Sequence, residues 1–564
     1  MVARHGHGKF TLVTEKIGPL PVLGRYIERL HVDSMLSKHI PAGRSSIPPA
    51  QCISLLVRNI IMEREPMYGI AEWSSAYMPS LLGVTYGQRA SLNDDRIGRA
   101  LDALYDADRG TMLTELVVGA IREFGIRMDE FHNDSTTVTF SGRYLDADGG
   151  YRRGKKSAAI AYGHNKDHRP DLKQLLWTLT VSSDGCVPVH YMAMDGNTDD
   201  TSTHLAVWNA VRDLKGSPDF IYVADSKLCV EDTLRYIDGQ KGKFITVLPA
   251  TRSEDGWFRQ HIQSNTVDWK SAGAAGRDCY GIPITFSVAE SPIPSSEGFR
   301  IVWVWSSQKE RKDMEIREAA IEKAVSALRK LDKSLNSPKS RIRKRETVVE
   351  KADESISGAA RYVSYEIAEE HASKFRQQRR GRPGRDTIYT KTVTSRFHVK
   401  VKMLEENIRF DAKCDGIFPL LTNCTELSAE DVLDKYKQQP MLEKRHEQLK
   451  TVYAVMPVLF KSIARIEAFL FVYFIAMLIQ ALIERQVRLS MKKQKIASLP
   501  IYSEGRECIS PTADKLLSAF SEVMTHHLLD RESKIDVFET QLNDKQKLLL
   551  TLMDVSPASY DTAG

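Results

Sequence analysis

Met128-Asp-Glu-Phe-His-Asn-Asp134-Ser-Thr-Thr-Val-Thr-Phe140 is the stretch in which the chain changes from a helical to an alternating pattern. Its β-branched residues and its alternation predict a β-strand. Aspartate is depleted in central strands, so Asp134 in the middle of this strand needs an explanation. A structural and a functional explanation have equal weight at this point.

The segments that follow predict a mixed α/β arrangement. Two apolar runs on either side of Asp184-Gly185 predict a hairpin. A helix is predicted over 201–214, and the short apolar strand 220–224 ends at Asp225. Open α/β sheets bind ligands at the carboxyl ends of their strands, where Asp225 lies, although an aspartate there is more often a turn or cap residue.

A third acid lies in Tyr436-Lys-Gln-Gln-Pro-Met-Leu-Glu443-Lys-Arg-His-Glu-Gln-Leu-Lys450. Pro440 suits the first turn of a helix, and we expect an unbroken helix with Glu443 in that turn, where the helix dipole stabilises an anion. Lys450 follows about two turns later, on nearly the same face. Such a pair is by itself an ordinary solvated one, and Glu447 is a rival for the third carboxylate.

Asp134, Asp225 and Glu443 together form a pattern of two strand-borne aspartates followed by a helix-borne glutamate. Three carboxylates brought together repel one another unless cations neutralise them. Ligation by oxygen alone suits magnesium or manganese. Two such ions about 4 Å apart can activate a water and stabilise the leaving oxygen at a phosphodiester. The pattern therefore favours metal-dependent phosphodiester chemistry.

The composition is typical of a soluble globular protein with several domains. Of the 564 residues, 42% are hydrophobic and 27% are charged. The net charge of +6 does not by itself indicate a nucleic-acid partner, but arginines cluster at 341–345 and 376–385. The scattered cysteines argue against a disulfide scaffold or a zinc site. The apolar segment 468–479 is too short to span a bilayer and is predicted to be a buried core helix.

The three acids stand in a pattern that resembles the DDE-type insertion-sequence transposases, in which the third carboxylate lies in a Tyr–Arg–Glu–Lys signature. Tyr436, Glu443 and Lys450 match the spacing of that signature, and Gln439 stands where the family has arginine. The Tyr-Lys-x-Gln-Pro version resembles the insertion-sequence-1634-type branch. The likeness extends to about Arg485 and includes the stretches 18–21, 93–101, 131–137, 163–172, 195–200, 222–229, 244–249 and 415–423.

This resemblance implies an α/β RNase H-like catalytic core, a mixed sheet flanked by helices, interrupted by a long insertion domain and preceded by an all-helical N-terminal domain. The expected segments are a helical N-terminal domain that could bind DNA ends (1–127), the first part of the core (128–226), an insertion region with strands, a charged helix and basic loops (227–408), the second part of the core with the catalytic helix (409–490) and a C-terminal tail with helical segments (491–564).

The resemblance also implies roles for individual residues. Asp134, Asp225 and Glu443 would be the catalytic residues and the ligands of Mg²⁺, with Mn²⁺ able to substitute and two ions in the site. Tyr436 and Lys450 would contact DNA near the cleaved end, Lys450 as a point charge on phosphate. The alternative for these two is a core tyrosine and a solvated lysine.

Two basic stretches are expected to contact DNA phosphate. The first, 163–172, contains Lys166 and Arg169, and we prefer a basic loop near DNA over metal binding by its two histidines. The second contains Arg380-Gly-Arg382-Pro383, which is similar to the minor-groove clamp called an AT-hook. Four residues are easily matched by chance, so the prediction is a flexible basic loop with sequence-neutral phosphate contacts.

The expected function is that of a DNA transposase that binds the terminal inverted repeats of its insertion sequence and catalyses metal-dependent cleavage and strand transfer. Its partners would be double-stranded DNA, as repeats and as target, and a second copy in a homodimer. We expect a bacterial cytoplasmic, nucleoid-associated location and no membrane. The alternatives are a catalytically silent DNA-binding protein derived from a transposase and a stand-alone RNase H-like nuclease.

Overall fold

The computed structural model describes residues 4–7, 10–278, 280–337, 340–342, 344–452, 460–502, 504–530 and 533–561. The strands are β1 Arg4–His7, β2 Phe10–Lys16, β3 Glu130–Phe140, β4 Tyr151–Arg152, β5 Lys155–Lys156, β6 Lys173–Ser182, β7 Val187–Met194, β8 Ile221–Ala224, β9 Lys243–Val247, β10 Lys270–Arg277, β11 Pro283–Glu290, β12 Arg300–Ser306, β13 Val363–Gln377, β14 Tyr389–Met403, β15 Ile417–Thr422, β16 Met524–Asp530 and β17 Ser533–Glu539. The α-helices are α1 Leu20–Arg29, α2 Val32–His39, α3 Pro49–Met62, α4 Ile70–Ser75, α5 Tyr86–Arg89, α6 Asp94–Asp106, α7 Arg109–Phe124, α8 Thr203–Lys215, α9 Glu231–Gly239, α10 Ser253–Ser264, α11 Ser307–Leu335, α12 Arg345–Ile356, α13 Glu405–Ala412, α14 Ala429–Tyr436, α15 Gln439–Glu447, α16 Ile463–Gln494, α17 Ala513–Ser518 and α18 Asp544–Leu552.

The chain folds into a discontinuous unit, Met1–Thr246 with Asp434–Gly564, and a second unit, Val247–Leu433. The sequence predicts an inserted segment too, but with boundaries at 226/227 and 408/409. The first boundary lies later because β9 pairs in parallel with β8, with Phe244 opposite Tyr222. This pairing keeps the chain in the first unit until Thr246.

A mixed sheet lies in the first unit, with the strand order β9-β8-β3-β6-β7. Strand β3 pairs antiparallel with β6, which pairs antiparallel with β7. On its other side β3 pairs in parallel with β8. The predicted order of three antiparallel strands, a helix and a parallel strand is therefore confirmed, with α8 as the helix.

Helix α16 is the central apolar element of the first unit. It packs against α3, α6 and β7, and Phe474 lies 5.1 Å from the ring of Tyr191. It is long and apolar enough to cross a membrane, but 89% of its most apolar 18-residue window is buried within the protein. The prediction that this apolar segment is too short to span a bilayer was wrong, because the helix has 32 residues. The prediction of a buried core helix is confirmed.

The N-terminal segment is not all-helical, which corrects the prediction for 1–127. Helices α1 to α7 are present, but β2 precedes them and pairs antiparallel with β16, with Val13 opposite His527. The predicted helical tail likewise contains β16 and β17 as well as α17 and α18. Strand partners that are more than 500 residues apart leave no mark in a local sequence pattern.

The second unit has an antiparallel sheet of order β10-β11-β12-β15 and a separate two-stranded sheet of β13 and β14. Strand β15 starts only at Ile417, a few residues after the end of α13. Helices α11 and α12 pack on the base of the β13–β14 hairpin around Leu328, Val348 and Phe397. The basic segment 376–385, predicted as a flexible loop, begins inside β13 and forms the tip of this hairpin.

Candidate active site

Asp134 lies in the central strand of the first unit's sheet. Of the eleven residues of β3, Asp134 alone is not buried, and its side chain is 23% exposed. Its Oδ1 accepts a hydrogen bond of 2.7 Å from the backbone N–H of Ser135. The strand thus presents a single carboxylate to a partly open space.

Asp225 lies beside Asp134 because of the register between two parallel strands. Asn133 of β3 is opposite Ala224 of β8, so the next residue of each strand is one of the two aspartates. Asp225 also caps a short 3₁₀ turn, since its Oδ1 accepts from the N–H of Lys227 at 3.0 Å. The cap interpretation and the site interpretation of Asp225 are therefore compatible.

Glu443 is carried by α15, which packs against β3. This helix begins at Gln439, so Glu443 is its fifth residue and lies in the second turn, which corrects the prediction of the first turn. The helix is not unbroken either, because a π-helix occupies Gln448–Val452. Lys450 lies in that π-helix, and its Nζ donates to the Asp167 carboxylate at 2.6 Å.

The electrostatics of the site join the three predicted acids. Burial raises the pKa of Asp134, Asp225 and Glu443. The negative charge of Asp134 adds to the increase in the pKa of both Asp225 and Glu443. Burial also raises the pKa of the Tyr436 hydroxyl, with further contributions from all three carboxylates. The three acids and Tyr436 therefore lie within electrostatic reach of one another.

Lys166 is a cation within this acidic cluster. Its Nζ lies 3.0 Å from Asp200 Oδ2 and 3.7 Å from Asp134 Oδ1. It also donates to the backbone oxygen and the hydroxyl of Ser135, both at 2.7 Å. Its charge lowers the pKa of Asp134 and Asp225 against the larger effect of burial. The Lys166 side chain, which was predicted to contact DNA phosphate, therefore points towards the acids in this structure.

Two histidines that the sequence did not single out also face the acids. His446 Nε2 lies 3.8 Å from Asp134 Oδ2, and burial lowers the pKa of this histidine to about 3. His204 Nε2 lies 4.0 Å from Asp225 Oδ1, and burial lowers its pKa to about 4. Both rings are therefore neutral at pH 7. The position of His446, one helical turn after Glu443, was the available signal in the sequence.

The three acids have the donor atoms that a divalent cation needs, but their side chains are too far apart to hold one in this structure. Within the described ranges, no group of three or more His, Cys, Asp or Glu side chains is close enough to hold a metal ion. Carboxylate oxygens are nevertheless the ligands that Mg²⁺ and Mn²⁺ prefer. The raised pKa values of Asp134, Asp225 and Glu443 indicate negative charge that a cation would neutralise. The donor set fits such an ion, and the side chains would have to close around it.

A buried polar network ties the start of α15 to β3. Gln439 Oε1 lies 3.0 Å from His132 Nδ1, and Gln439 Nε2 donates to the backbone oxygen of Asn133 at 3.0 Å. His132 Nε2 in turn lies 2.9 Å from Glu130 Oε1. Lys435 Nζ donates to the other oxygen of Glu130 at 2.6 Å. Gln439, the departure from the signature, therefore faces the strand that carries Asp134.

The other predicted DNA contacts do not join the acids. Arg169 is exposed and donates to the Asp171 carboxylate at 2.8 and 2.7 Å, on the same loop as Lys166. Arg380 and Arg382 are exposed at the hairpin tip of the second unit. The structure thus brings together Asp134, Asp225, Glu443, Tyr436 and Lys166 of the predicted set, with Lys450 paired to Asp167.

Comparisons with known proteins leave the family of this chain open. A family model described as a domain of unknown function (DUF4277) matches residues 12–118. No curated protein matches the chain. A cryo-EM structure of a piggyBac transposase synaptic complex with hairpin DNA is similar over 51% of this chain and 61% of that chain, with 11% identity and a TM-score of 0.27. The match spans less than two thirds of that chain, and at this TM-score it supports no conclusion on fold or function.

Proposed function

We propose that this protein is a DDE-type transposase of the insertion-sequence class that cleaves DNA and joins it to a target. The observation that carries the proposal is the convergence of three carboxylates from separate elements. The register of two adjacent parallel strands places Asp134 beside Asp225. Glu443 lies on a helix that packs against the strand of Asp134. Burial raises the pKa of each of the three, and the charge of Asp134 adds to the increase for Asp225 and Glu443.

The topology supports an RNase H-like core interrupted by an insertion domain. Three antiparallel strands, a crossover helix and two strands parallel to the first are the order found in that fold, and β3, β6, β7, α8, β8 and β9 follow it. The chain then leaves the first unit at Val247 and returns at Asp434. It returns just before the helix that carries Glu443, as the resemblance implies for the third acid.

Asp134, Asp225 and Glu443 would hold Mg²⁺, for which Mn²⁺ can substitute, with two ions in the site. When bound, such ions neutralise phosphate charge and favour ionisation of the attacking group. The chain's own residues prepare the site for them. Lys166 favours the ionised forms of Asp134 and Asp225, because its charge lowers the pKa of both.

Other side chains orient the reacting groups. Burial keeps the Tyr436 hydroxyl protonated, so it can donate a hydrogen bond to a phosphate oxygen near the acids. The Gln439 network fixes the start of α15 against β3 and so holds Glu443 in register with Asp134. Fixed positioning of this kind supplies much of the catalysis in phosphoryl transfer.

In the proposed reaction a water attacks the scissile phosphodiester at an end of the element. The bond from phosphorus to the 3′-oxygen breaks, and the leaving oxygen takes a proton to become a 3′-hydroxyl. That hydroxyl then loses its proton and attacks a phosphodiester of the target DNA. A new bond forms between its 3′-oxygen and the target phosphorus, the target's own bond from phosphorus to its 3′-oxygen breaks, and that leaving oxygen takes up a proton to become a 3′-hydroxyl. Because two ends must be joined, we propose a homodimer on DNA, acting in the bacterial cytoplasm at the nucleoid.

The DNA contacts near the site are proposed for Tyr436, Lys450, Lys166 and Arg169. Lys450 and Arg169 now pair with Asp167 and Asp171, and each would exchange its carboxylate for a phosphate. Both pairs are at least partly exposed, so their loss costs little free energy. Arg380 and Arg382 would contact DNA through the second unit. The helical part of 1–127 is a proposed binding element for the terminal inverted repeats.

One observation favours the catalytically silent DNA-binding protein instead. The Lys166 ammonium already lies between Asp134 and Asp200, where it could replace a metal ion permanently. In a silent protein this arrangement would persist when Mg²⁺ or Mn²⁺ is added. In an enzyme the lysine would move, and nicking would begin.

The test is divalent-dependent nicking of supercoiled plasmid by the purified full chain. We expect nicking with Mg²⁺ or Mn²⁺ by the wild type, and a loss of at least about 100-fold in Asp134→Ala, Asp225→Ala and Glu443→Gln. Glu447→Gln is the matched control, since it makes the same change one turn along α15 and should stay active. Wild-type activity in all three variants would refute the site.

Strand transfer separates a transposase from a stand-alone nuclease. Oligonucleotides carrying the ends of the insertion sequence should be joined to plasmid by the wild type. A nuclease would cut them without joining. A protein that binds these ends but neither cuts nor joins them would be the silent DNA-binding protein.

A further inference from the structure

The hairpin of β13 and β14 carries one of the basic clusters of the chain. We call residues 374–391 the basic arm. The basic arm holds seven basic residues against one acidic residue, a net charge of +6, which equals the net charge of the entire chain. The basic residues are Lys374, Arg376, Arg379, Arg380, Arg382, Arg385 and Lys391.

The seven basic side chains are exposed, and one of them, Lys391, lies over an aromatic ring, with its Nζ 6.0 Å from the centroid of Phe375. Across the described part of the chain, none of the seven forms an ion pair with an acidic side chain. The base of the hairpin is buried at Val363 and Phe397, whereas Tyr389 to Val393 are all exposed. From the Glu369–Phe397 pair to the Gln377–Tyr389 pair the hairpin extends eight residues, about 27 Å at 3.4 Å per residue.

The hairpin is regular in spite of this exposure. All fifteen residues of β13 pair with β14 without a shift in register. A long exposed strand pair is a site for association with other molecules, and arginine and lysine on it disfavour pairing with another sheet edge. The regular pairing therefore gives a preformed support that ends in a loop, residues 378–388, and this loop carries Arg379, Arg380, Arg382 and Arg385.

The alternation of the strands divides the basic arm into two faces. One face carries Lys374 and Arg376 with Thr392 and Thr390 directly opposite. Lysine, arginine and threonine are the side chains that commonly donate to DNA phosphate oxygens. The other face carries Phe375, which is 64% exposed, and Tyr389. The polar face and the loop that carries the four arginines are both exposed, so both are accessible to a polyanion.

We infer that the basic arm is a DNA-binding site of its own, which lies as a two-stranded ribbon along a groove of duplex DNA and contacts the phosphates on both sides. The major groove of B-DNA, about 12 Å wide, admits a two-stranded ribbon. The contact is sequence-neutral, since phosphate contacts fix position and do not read bases. This inference rests on the proposed function only in taking DNA as the partner.

The test compares two variants of the full chain that lose the same number of positive charges from the same unit. The arm variant is R379Q/R380Q/R382Q/R385Q. The control is K323Q/R329Q/K330Q/K333Q, four exposed residues on α11. Fluorescence anisotropy would measure the binding of a labelled 40-base-pair duplex of arbitrary sequence over a range of salt concentrations.

We expect the arm variant to bind at least about 10-fold more weakly in 0.1 M salt. The slope of log K against log salt should fall by about 2 to 4, since each lost phosphate contact removes about 0.9. The control should bind within about twofold of the wild type. Equal losses in the two variants would mean that only net charge matters, and unchanged binding by the arm variant would also overturn the inference.

Limited trypsin digestion of the wild type gives a second readout that needs no variant. The exposed arginines of the basic arm should be cut in the free protein and protected by the duplex, with fragments identified by mass. Cleavage at the same rate with and without DNA would contradict the inference. If the arm variant instead loses self-association in sedimentation and keeps DNA binding, the basic arm is an interface between copies and the inference is wrong.

The outcomes also separate this inference from the proposed function. The arm variant leaves Asp134, Asp225 and Glu443 unchanged, so a loss of affinity in this variant reports on the basic arm and not on the acids. If the wild type never nicks DNA but the arm variant binds DNA more weakly, the inference about the basic arm stands and the proposed transposase function fails. If the wild type nicks DNA but the arm variant binds DNA as well as the wild type, the proposed function stands and the inference about the basic arm fails.

Discussion

Replacing Gln439 with leucine should destabilise the protein although leucine is similar in size and no acid is touched. Gln439 is only 6% exposed, so its hydrogen-bonding partners cannot turn to water when the amide is lost. Leucine can neither accept from the His132 ring nor donate to the backbone oxygen of Asn133. The substitution therefore leaves two buried polar groups without their partners.

The size of the effect follows from those two groups. A buried polar group left unsatisfied costs about 1–3 kcal/mol. Two of them, at hydrogen bonds of 3.0 Å each, lower the free energy of unfolding by about 2–6 kcal/mol, a large value for a single substitution. His132 also lies against Glu130, so the loss spreads into a network that includes Lys435.

The same substitution should slow nicking more than it weakens DNA binding. Gln439 begins the helix that carries Glu443 and bonds to the residue before Asp134, so its loss lets α15 shift against β3. A displacement of about 1 Å in a catalytic group costs about 100-fold in rate. We expect a fall of this order in the nicking rate under conditions where the variant is fully folded.

Urea unfolding and plasmid nicking together provide the assay, with Gln438→Leu as the matched control. This control makes the same substitution one residue earlier. Gln438 is the N-cap of α15 and is partly exposed. The control should unfold within about 0.5 kcal/mol of the wild type. If Gln439→Leu unfolds at the same urea concentration as Gln438→Leu, the two buried hydrogen bonds do not stabilise the protein.

Two further predictions concern the charges of the site. Burial raises the pKa of Asp134 in the folded protein above its unfolded value near 4, so the folded state binds the proton more tightly and stability falls as the pH rises from about 4 through the folded pKa. Asp134→Asn should therefore increase the free energy of unfolding at pH 7 by about 1 kcal/mol and give no gain at pH 3, as measured by urea unfolding at both values. Lys166→Met should move the acidic limb of the nicking rate to higher pH, because the lysine lowers the pKa of Asp134 and Asp225; an unchanged pH profile would contradict this assignment.

The parts of the fold that could be predicted are those whose partners are near in sequence. The β6–β7 hairpin follows from an Asp-Gly turn between apolar runs, and β8 follows from a short apolar strand after a helix. The pairing of β2 with β16 joins the two ends of the chain, and no local pattern reports it. The β13–β14 hairpin was missed because both of its faces are solvated beyond the base, so hydrophobic alternation is absent.

In the candidate site, too, the residues that could be predicted are those whose own local sequence identifies them. Asp134 could be identified because aspartate is depleted in central strands, and Asp225 because it follows an apolar strand at the edge where α/β sheets bind ligands. The parallel register places the two side by side. The contribution of Gln439 could not be predicted, because its partners lie on β3, some 300 residues earlier in the chain. The inward position of Lys166 was likewise missed, since a basic loop in sequence gives no indication of which way its lysine turns.

The charge balance of the site favours the enzyme over the silent DNA-binding protein. Each of the three acids has a raised pKa, so each opposes folding at neutral pH when it is ionised. A protein that only bound DNA would gain stability, and a less negative surface towards phosphate, from the loss of any one of them. All three are nevertheless present, on a strand, at a strand end and on a helix. Such a set is costly without a cation and useful with one, and Lys166 neutralises one of its charges at most.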